Sequence, residues 1–191
     1  AGSSSYTNVR SQLETLNFNR ITTGTLDSIC EQILREHRPP GGTPPVVIED
    51  FASNALMILV GLFRHGRHNS HRLKDYIVRL RGTAWSLNPS EMSATIREIR
   101  ERILHDQVDT TQYKAKSRHP GAQVACDAIE DYDRELQNRG LSDFARLEQD
   151  FLSRLRSGQL DSFRNGIRFV LVDEYQDTNL LQEQIYFELA R

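Results

Sequence analysis

Four consecutive apolar residues, Phe169-Val170-Leu171-Val172, run directly into two acids, Asp173-Glu174. A continuous apolar run of this kind suits a parallel strand covered on both faces, so the chain around it must supply helices to do the covering. Ser142 is placed to cap a helix that buries Phe144, Leu147, Phe151 and Leu155 before Gly158 ends it. A last helix from about Asn179 turns Leu181, Ile185 and Leu189 inward. The opposite end is also α/β in pattern. Arg20-Ile21-Thr22-Thr23-Gly24-Thr25 is a short β-branched stretch that enters a helix with Leu26, Ile29, Cys30, Ile33 and Leu34 on one face.

Between these ends the pattern is helical. Pro39-Pro40-Gly41-Gly42, followed by Pro44-Pro45, is the strongest breaker cluster in the chain and marks a domain boundary. Beyond it only Val46-Val47-Ile48 hints at a strand. Asp50 to Phe63 reads as a largely buried helix and Leu73 to Leu80 as a short amphipathic one. Asn88-Pro89-Ser90-Glu91 has the chemistry of a helix start: a cap, a first-turn proline and a capping-box acid. Met92, Ile96, Ile99 and Ile103 then lie on one stripe, and a further helix spans about Gly121 to Gln137. The expected fold is mainly α with a small α/β part. Residues 1–40 and 140–191 form the α/β pieces, and 41–139 a helical insertion.

Charge is uneven along a chain whose net charge is only −2. Any nucleic-acid contact must therefore come from a local patch. Arg64 to Arg81 holds six Arg or Lys against one acid, Asp75, a local charge of about +5. Arg64, Arg67, Arg72 and Lys74 are its candidate phosphate contacts, in a basic loop, and Lys114-Ala115-Lys116-Ser117-Arg118-His119 is a second such loop. His65, His68 and His71 recur every third residue, but their arginine neighbours repel a cation and no acid or cysteine assists. Trp85 is read as packed against the domain rather than stacked on a base. Asp127, Glu130, Asp131, Asp133 and Glu135 are read as a solvated helix face. Cys30 and Cys126 lack the spacing of a zinc site and suit a reducing, cytoplasmic setting. The longest apolar run, Ala55 to Phe63, is about half a membrane span, so no membrane association is expected.

The acids at the end of the 169–172 run carry the chemistry. Ligands of open α/β sheets bind at the carboxyl ends of strands. Magnesium there needs a hard oxygen ligand near the nucleotide phosphates and keeps several waters. The attacking water needs a carboxylate to orient it and accept its proton. Asp173 is the candidate magnesium residue, acting through water, and Glu174 the candidate general base. This is the Walker B arrangement of P-loop NTPases.

The longer string Val172-Asp173-Glu174-Tyr175-Gln176-Asp177-Thr178-Asn179, with Gln182 three residues on, resembles the "VDEYQDTN..Q" block of UvrD/Rep-type superfamily 1 DNA helicases. Gln176 and Asp177 belong to that block. Gly24-Thr25-Leu26-Asp27-Ser28-Ile29-Cys30 resembles the family's "GTFHSLC" segment, which implies contacts of Thr25 and Ser28 with single-stranded DNA. Asp27 stands where the family commonly has His, and no DNA contact is carried over to it. Tyr6-Thr7-Asn8 is similar to the "TFTN" block, which makes Thr7 and Asn8 candidate DNA contacts, although Val9-Arg10-Ser11 replace the lysine and alanines usual after it. Leu141-Ser142-Asp143-Phe144 resembles the "DF..LL" helix that returns from the helical insertion to the motor.

The resemblance implies pieces of a first RecA-like domain around a helical insertion. It also implies an intact protein that uses ATP and magnesium to move 3′-to-5′ on single-stranded DNA and unwind duplex ahead. No G-x-x-x-x-G-K-[ST] loop occurs in these 191 residues. The segment alone is therefore expected to be inactive and to hold no cofactor. Its partners would be DNA and the rest of the helicase, namely the Walker A segment and the second RecA-like domain. Two other readings remain open at this point: part of a helicase–nuclease subunit, or a non-catalytic helical module that binds DNA or a partner.

Overall fold

The computed structural model describes residues 21–38, 44, 46–64, 66–82 and 88–191, with the backbone alone for 66–68. The described elements are mostly helices, which gather around two apolar cores. The first core is drawn from residues between Ile48 and Leu141. Helix α1 (Leu26–Glu36) precedes it, and strand β1 (Val46–Val47) leads in. Helix α2 (Asp50–Leu56) continues without a break as a π-helix, Met57–Leu62. Then come α3 (Gly66–Arg81), α4 (Pro89–His105), α5 (Thr110–Lys116) and α6 (Pro120–Arg139).

Helix α4 begins as its sequence dictates. The Asn88 side chain accepts from the Glu91 N–H at 2.9 Å, the Glu91 carboxylate accepts from the Asn88 N–H at 3.0 Å, and Pro89 fills the first turn. Its stripe then buries Met92, Ile96 and Ile103 against Met57, Val60, Leu73, Ile77 and the Ala122–Leu136 face of α6. Helices α3 and α6 approach closely because position 121 is glycine. A Cβ there would lie 2.2 Å from the Arg72 carbonyl oxygen and 2.5 Å from the Tyr76 Cβ.

Helix α4 is also tied to its neighbours by polar contacts. Arg100 is 2 % exposed. Its Nε donates to Asp133 of α6 at 2.8 Å and its Nη1 to Asp143 at 2.9 Å. The Tyr132 hydroxyl donates to the same Asp143 oxygen at 3.0 Å, and the guanidinium carbon stands 5.1 Å from the Tyr132 ring centre. A buried guanidinium is tolerable when carboxylates and a ring face enclose it in this way.

Gly140 ends α6 in the left-handed conformation. Strand β2 (Leu141–Ser142) then pairs in parallel with β1, Val46 opposite Leu141 and Val47 opposite Ser142, so the chain enters and leaves the helical body side by side. Helix α7 (Phe144–Arg156), the short α8 (Asp161–Arg164) and α9 (Leu180–Leu189) build the second core with α1. Cys30, Ile33 and Leu34 meet Leu147, Phe151, Leu155, Leu181 and Ile185 there.

Four sequence expectations are corrected. Ser142 is held in β2, so Asp143 caps α7 instead, accepting from the Arg146 N–H at 3.0 Å. Phe144 consequently sits at the rim, 46 % exposed, and Ala145, Leu147, Phe151, Leu152 and Leu155 fill the core. Residues 21–25 form no strand. The 169–172 run joins no strand among the described residues either. Val170 and Val172 are half-buried while Phe169 and Leu171 are 87 % and 96 % exposed, an alternation in which one face alone is covered. The described residues offer that segment one apolar support, the second core, and nothing on its other face.

Candidate functional site

Directly after the extended run the backbone turns sharply. Glu174 adopts φ 49° and ψ 40°, a left-handed conformation that costs a non-glycine residue energy and is held by its surroundings. The Glu174 N–H donates to Asp173 Oδ1 at 3.0 Å. A single turn of 3₁₀-helix, Tyr175–Asp177, follows, with the Asp177 N–H donating to the Glu174 carbonyl at 2.9 Å. The Gln176 amide donates to Glu174 Oε2. The Tyr175 hydroxyl reaches forward to Glu183 at 2.7 Å.

Asp173, Glu174, Gln176 and Asp177 are all exposed on this turn. Neither Asp173 nor Glu174 is paired with a Lys or Arg among the described residues. Two hard-oxygen carboxylates in water, one turned back on the backbone and one steadied by an amide, match the donor chemistry of a magnesium ion that keeps its waters. No group of three or more His, Cys, Asp or Glu among the described residues could hold a metal directly.

Helix α9 starts two residues beyond the turn through a second capping box. The Gln182 N–H donates to Asn179 Oδ1 at 2.9 Å, and the Asn179 N–H faces Gln182 Oε1 at 3.5 Å. The Gln182 amide nitrogen then donates to Glu148 Oε1 of α7 at 2.8 Å. Glu148 is 2 % exposed, and its other oxygen, Oε2, is buried without a hydrogen-bond partner. It lines a cleft of about 280 Å³ between the two cores, together with Asp27 of α1, Arg97, Glu101 and His105 of α4, and Gln182. Burial, then the proximity of Asp27, raises the Glu148 carboxyl from its ordinary 4.5 to about 7, against the opposing pull of the Gln182 hydrogen bond. Burial raises Asp27 and Glu101 as well, with His105 partly offsetting both.

The remaining candidates fall in different places. Thr25 caps α1, its Oγ1 accepting from the Ser28 N–H at 3.3 Å, and the Ser28 hydroxyl donates back to the Thr25 carbonyl at 2.8 Å. Asp27, where the family pattern has His, turns into the cleft. Thr7, Asn8, His65 and Trp85 lie outside the described residues, as do the side chains of Arg67 and His68. The helix read at Leu73 to Leu80 is present and extends back to Gly66, so the basic stretch is helical rather than a loop from there onward. Arg79 pairs with Asp75 at 3.3 Å and Arg81 with Glu98 at 3.2 Å. Arg64, Arg72 and Lys74 stay exposed with no acid beside them among the described residues. In the second basic segment Lys114, on α5, meets Asp127 at 2.6 Å and Glu130 at 3.2 Å. The acidic run of α6 is not a solvated face: Asp131 is buried, Asp133 holds Arg100, and only Glu130 is exposed.

No local pattern in the sequence singles out Arg100 or Glu148. Their partners are 33 to 43 residues away, beyond any local pattern. Gln182 was legible, since Asn179-x-x-Gln182 repeats the spacing of Asn88-x-x-Glu91.

The sequence model of the UvrD/REP helicase N-terminal domain matches residues 1–191. Three curated relatives resemble part of the chain, and all three bear the name of an ATP-dependent helicase/nuclease subunit. The Staphylococcus saprophyticus protein is 39 % identical over 70 residues, covering 34 % of this chain and 6 % of that protein. The Carboxydothermus hydrogenoformans protein is 42 % identical over 60 residues, covering 31 % and 5 %. The Staphylococcus carnosus protein is 36 % identical over 70 residues, covering 34 % and 6 %. The chain thus spans a small fraction of the length of the relatives it matches. No solved structure matches it. No helix among the described residues is long and apolar enough to cross a membrane.

The raised Glu148 carboxyl sets a pH dependence of stability. The folded chain holds a proton that the unfolded chain releases at about 4.5, so this stabilisation is complete below that pH and is lost as pH rises through about 7. The full span is roughly 3 kcal/mol. Thermal melts of the parent should therefore fall between pH 5 and pH 8, and Glu148→Gln should flatten that fall. A variant whose melting temperature tracks the parent's at every pH would contradict the assignment.

Proposed function

The chain belongs to the UvrD/REP helicase family, and from that membership we propose that the intact protein is an ATP-driven motor that moves 3′-to-5′ along single-stranded DNA. The observation that carries the site assignment is the exposed turn at residues 173–177, where two adjacent carboxylates stand at the end of an extended apolar segment. Asp173 would hold magnesium through its water shell, and the metal when bound neutralises charge on the nucleotide phosphates. Glu174 orients the attacking water and takes its proton. The amide of Gln176 holds the Glu174 side chain, limiting the rotamers from which that proton is taken.

These 191 residues contain no G-x-x-x-x-G-K-[ST] loop, so the phosphate cradle must come from elsewhere in the protein and the segment alone does not turn over ATP. Thr25 and Ser28, at the N-terminus of α1, and Thr7 and Asn8 are the proposed contacts to single-stranded DNA. Arg64, Arg67, Arg72 and Lys74 are the proposed contacts to duplex phosphates. The names of all three relatives favour a second reading of the whole protein as a helicase–nuclease subunit, in which this same motor segment serves a nuclease in the same chain.

In the intact protein, Glu174→Gln should keep nucleotide and DNA binding while DNA-stimulated hydrolysis falls by roughly 10²–10⁴, the usual worth of a positioned general base. Near-parental turnover in that variant would refute the role given to Glu174. Replacing Arg64, Arg67, Arg72 and Lys74 together by Glu should abolish binding to a hairpin duplex. Parental binding should weaken with salt at a slope of about −3 in log K against log salt, as three or four phosphate contacts require. Fluorescence anisotropy across a salt series reads both, and equal affinity in parent and fourfold variant would make the patch mere surface.

A further inference from the structure

Glu148 is placed badly for stability and well for something else. It is 2 % exposed, one oxygen has no partner, and the other accepts one neutral amide. A carboxylate buried with so little compensation is destabilising relative to a neutral side chain of the same shape. Folding alone would favour glutamine or leucine there. What the carboxylate does hold is Gln182, the residue that closes the capping box of α9.

We propose that Glu148 is a positioning residue for the Asp173-Glu174 turn, fixing Gln182 from within the cleft so that the first turn of α9 anchors the acidic turn just before it. This rests on the reading of that turn as the ATP site. The connections run in sequence. Glu148 Oε1 accepts from Gln182 at 2.8 Å, Gln182 binds Asn179 in both directions, and Asn179 follows Thr178, whose hydroxyl donates to the Tyr175 carbonyl at 2.7 Å. Tyr175 adds a strut from the turn to Glu183 of the same helix turn, at 2.7 Å. Five residues before Glu148, Asp143 caps α7 while it accepts from Arg100 of α4. A shift of α4 is thereby carried along α7 to Glu148. The helical body and the turn thus share one brace, whose last link is the hydrogen bond from the Gln182 amide to Glu148 Oε1.

The experiment uses the intact protein with Glu148→Ala and Glu148→Gln. Alanine leaves the Gln182 amide without its acceptor, whereas glutamine offers a carbonyl oxygen at the same place. Hydrogen exchange should be faster at the amides of residues 174–183 in Glu148→Ala than in the parent, and near parental in Glu148→Gln. The kcat for DNA-stimulated ATP hydrolysis should fall roughly 10- to 100-fold in Glu148→Ala with KM for ATP unchanged, as expected when reacting groups are displaced by about 1 Å. Glu148→Gln should restore most of it. Unchanged exchange in Glu148→Ala overturns the brace, and so does parental kcat in that variant. A parent without DNA-stimulated hydrolysis would fell the reading of the turn as an ATP site. The exchange result alone would then decide whether Glu148 positions it.

Discussion

A buried guanidinium ties the helical body to the head of α7. Arg100 reaches from α4 to Asp133 on α6 and to Asp143 at the head of α7, under the ring of Tyr132. Each carboxylate is buried or half-buried and would be costly without the arginine, and the arginine would be costlier still without both. The cluster therefore enforces one arrangement: α6 must end, the chain must turn through Gly140 and β2, and α7 must start where Asp143 meets the guanidinium. The parallel pairing of β1 with β2 is compatible with that geometry and adds few bonds of its own. The guanidinium holds the head of α7 against the helical body.

Everything near the acidic turn hangs from that return. Helix α7 presents Glu148, α9 docks Leu181 and Ile185 on Phe151 and Leu155, and the extended 167–172 segment lays Val170 on the same core. The turn itself is exposed, with a strained Glu174 and few ties of its own. That combination suits a site that receives a ligand. The carboxylates stay available in water, and the turn is flanked by the 167–172 segment on one side and α9 on the other. The exposed Phe169 and Leu171 mark the face of the segment that the described residues leave uncovered.

What the sequence made legible was local. Asn88 and Glu91 announce the start of α4, Pro120 and Gly140 bracket α6, and the stripe of Leu181, Ile185 and Leu189 is buried as its spacing requires. The acidic turn was legible as a string because no packing rule demands Asp-Glu-Tyr-Gln-Asp. Errors arose where a distant contact decided between local equals. Ser142 and Asp143 are both good caps, and the pairing of Ser142 with Val47 together with the hold of Arg100 on Asp143 gives the role to Asp143. The acids of α6 looked like a solvent face because their partners Arg100 and Lys114 lie on other helices. The basic stretch looked like a loop because Arg, His and Asn dominate its first turns, yet Leu73, Tyr76 and Ile77 bring a helix onto Gly121. The run at 169–172 looked fully buried because its residues are uniformly apolar, a property that does not say which segments lie beside it.

The central claim is that magnesium and nucleotide gather at residues 173–177, with Asp173 serving the metal and Glu174 the water. Manganese can replace magnesium and is read directly by electron paramagnetic resonance, with a non-hydrolysable ATP analogue bound to the intact protein. The account predicts nucleotide-dependent manganese binding that weakens by about tenfold or more in Asp173→Ala, the usual cost of losing a partner in the outer shell of a metal. In Glu174→Gln that binding should stay near the parental value. Manganese binding that is the same in the parent and in both variants would contradict it.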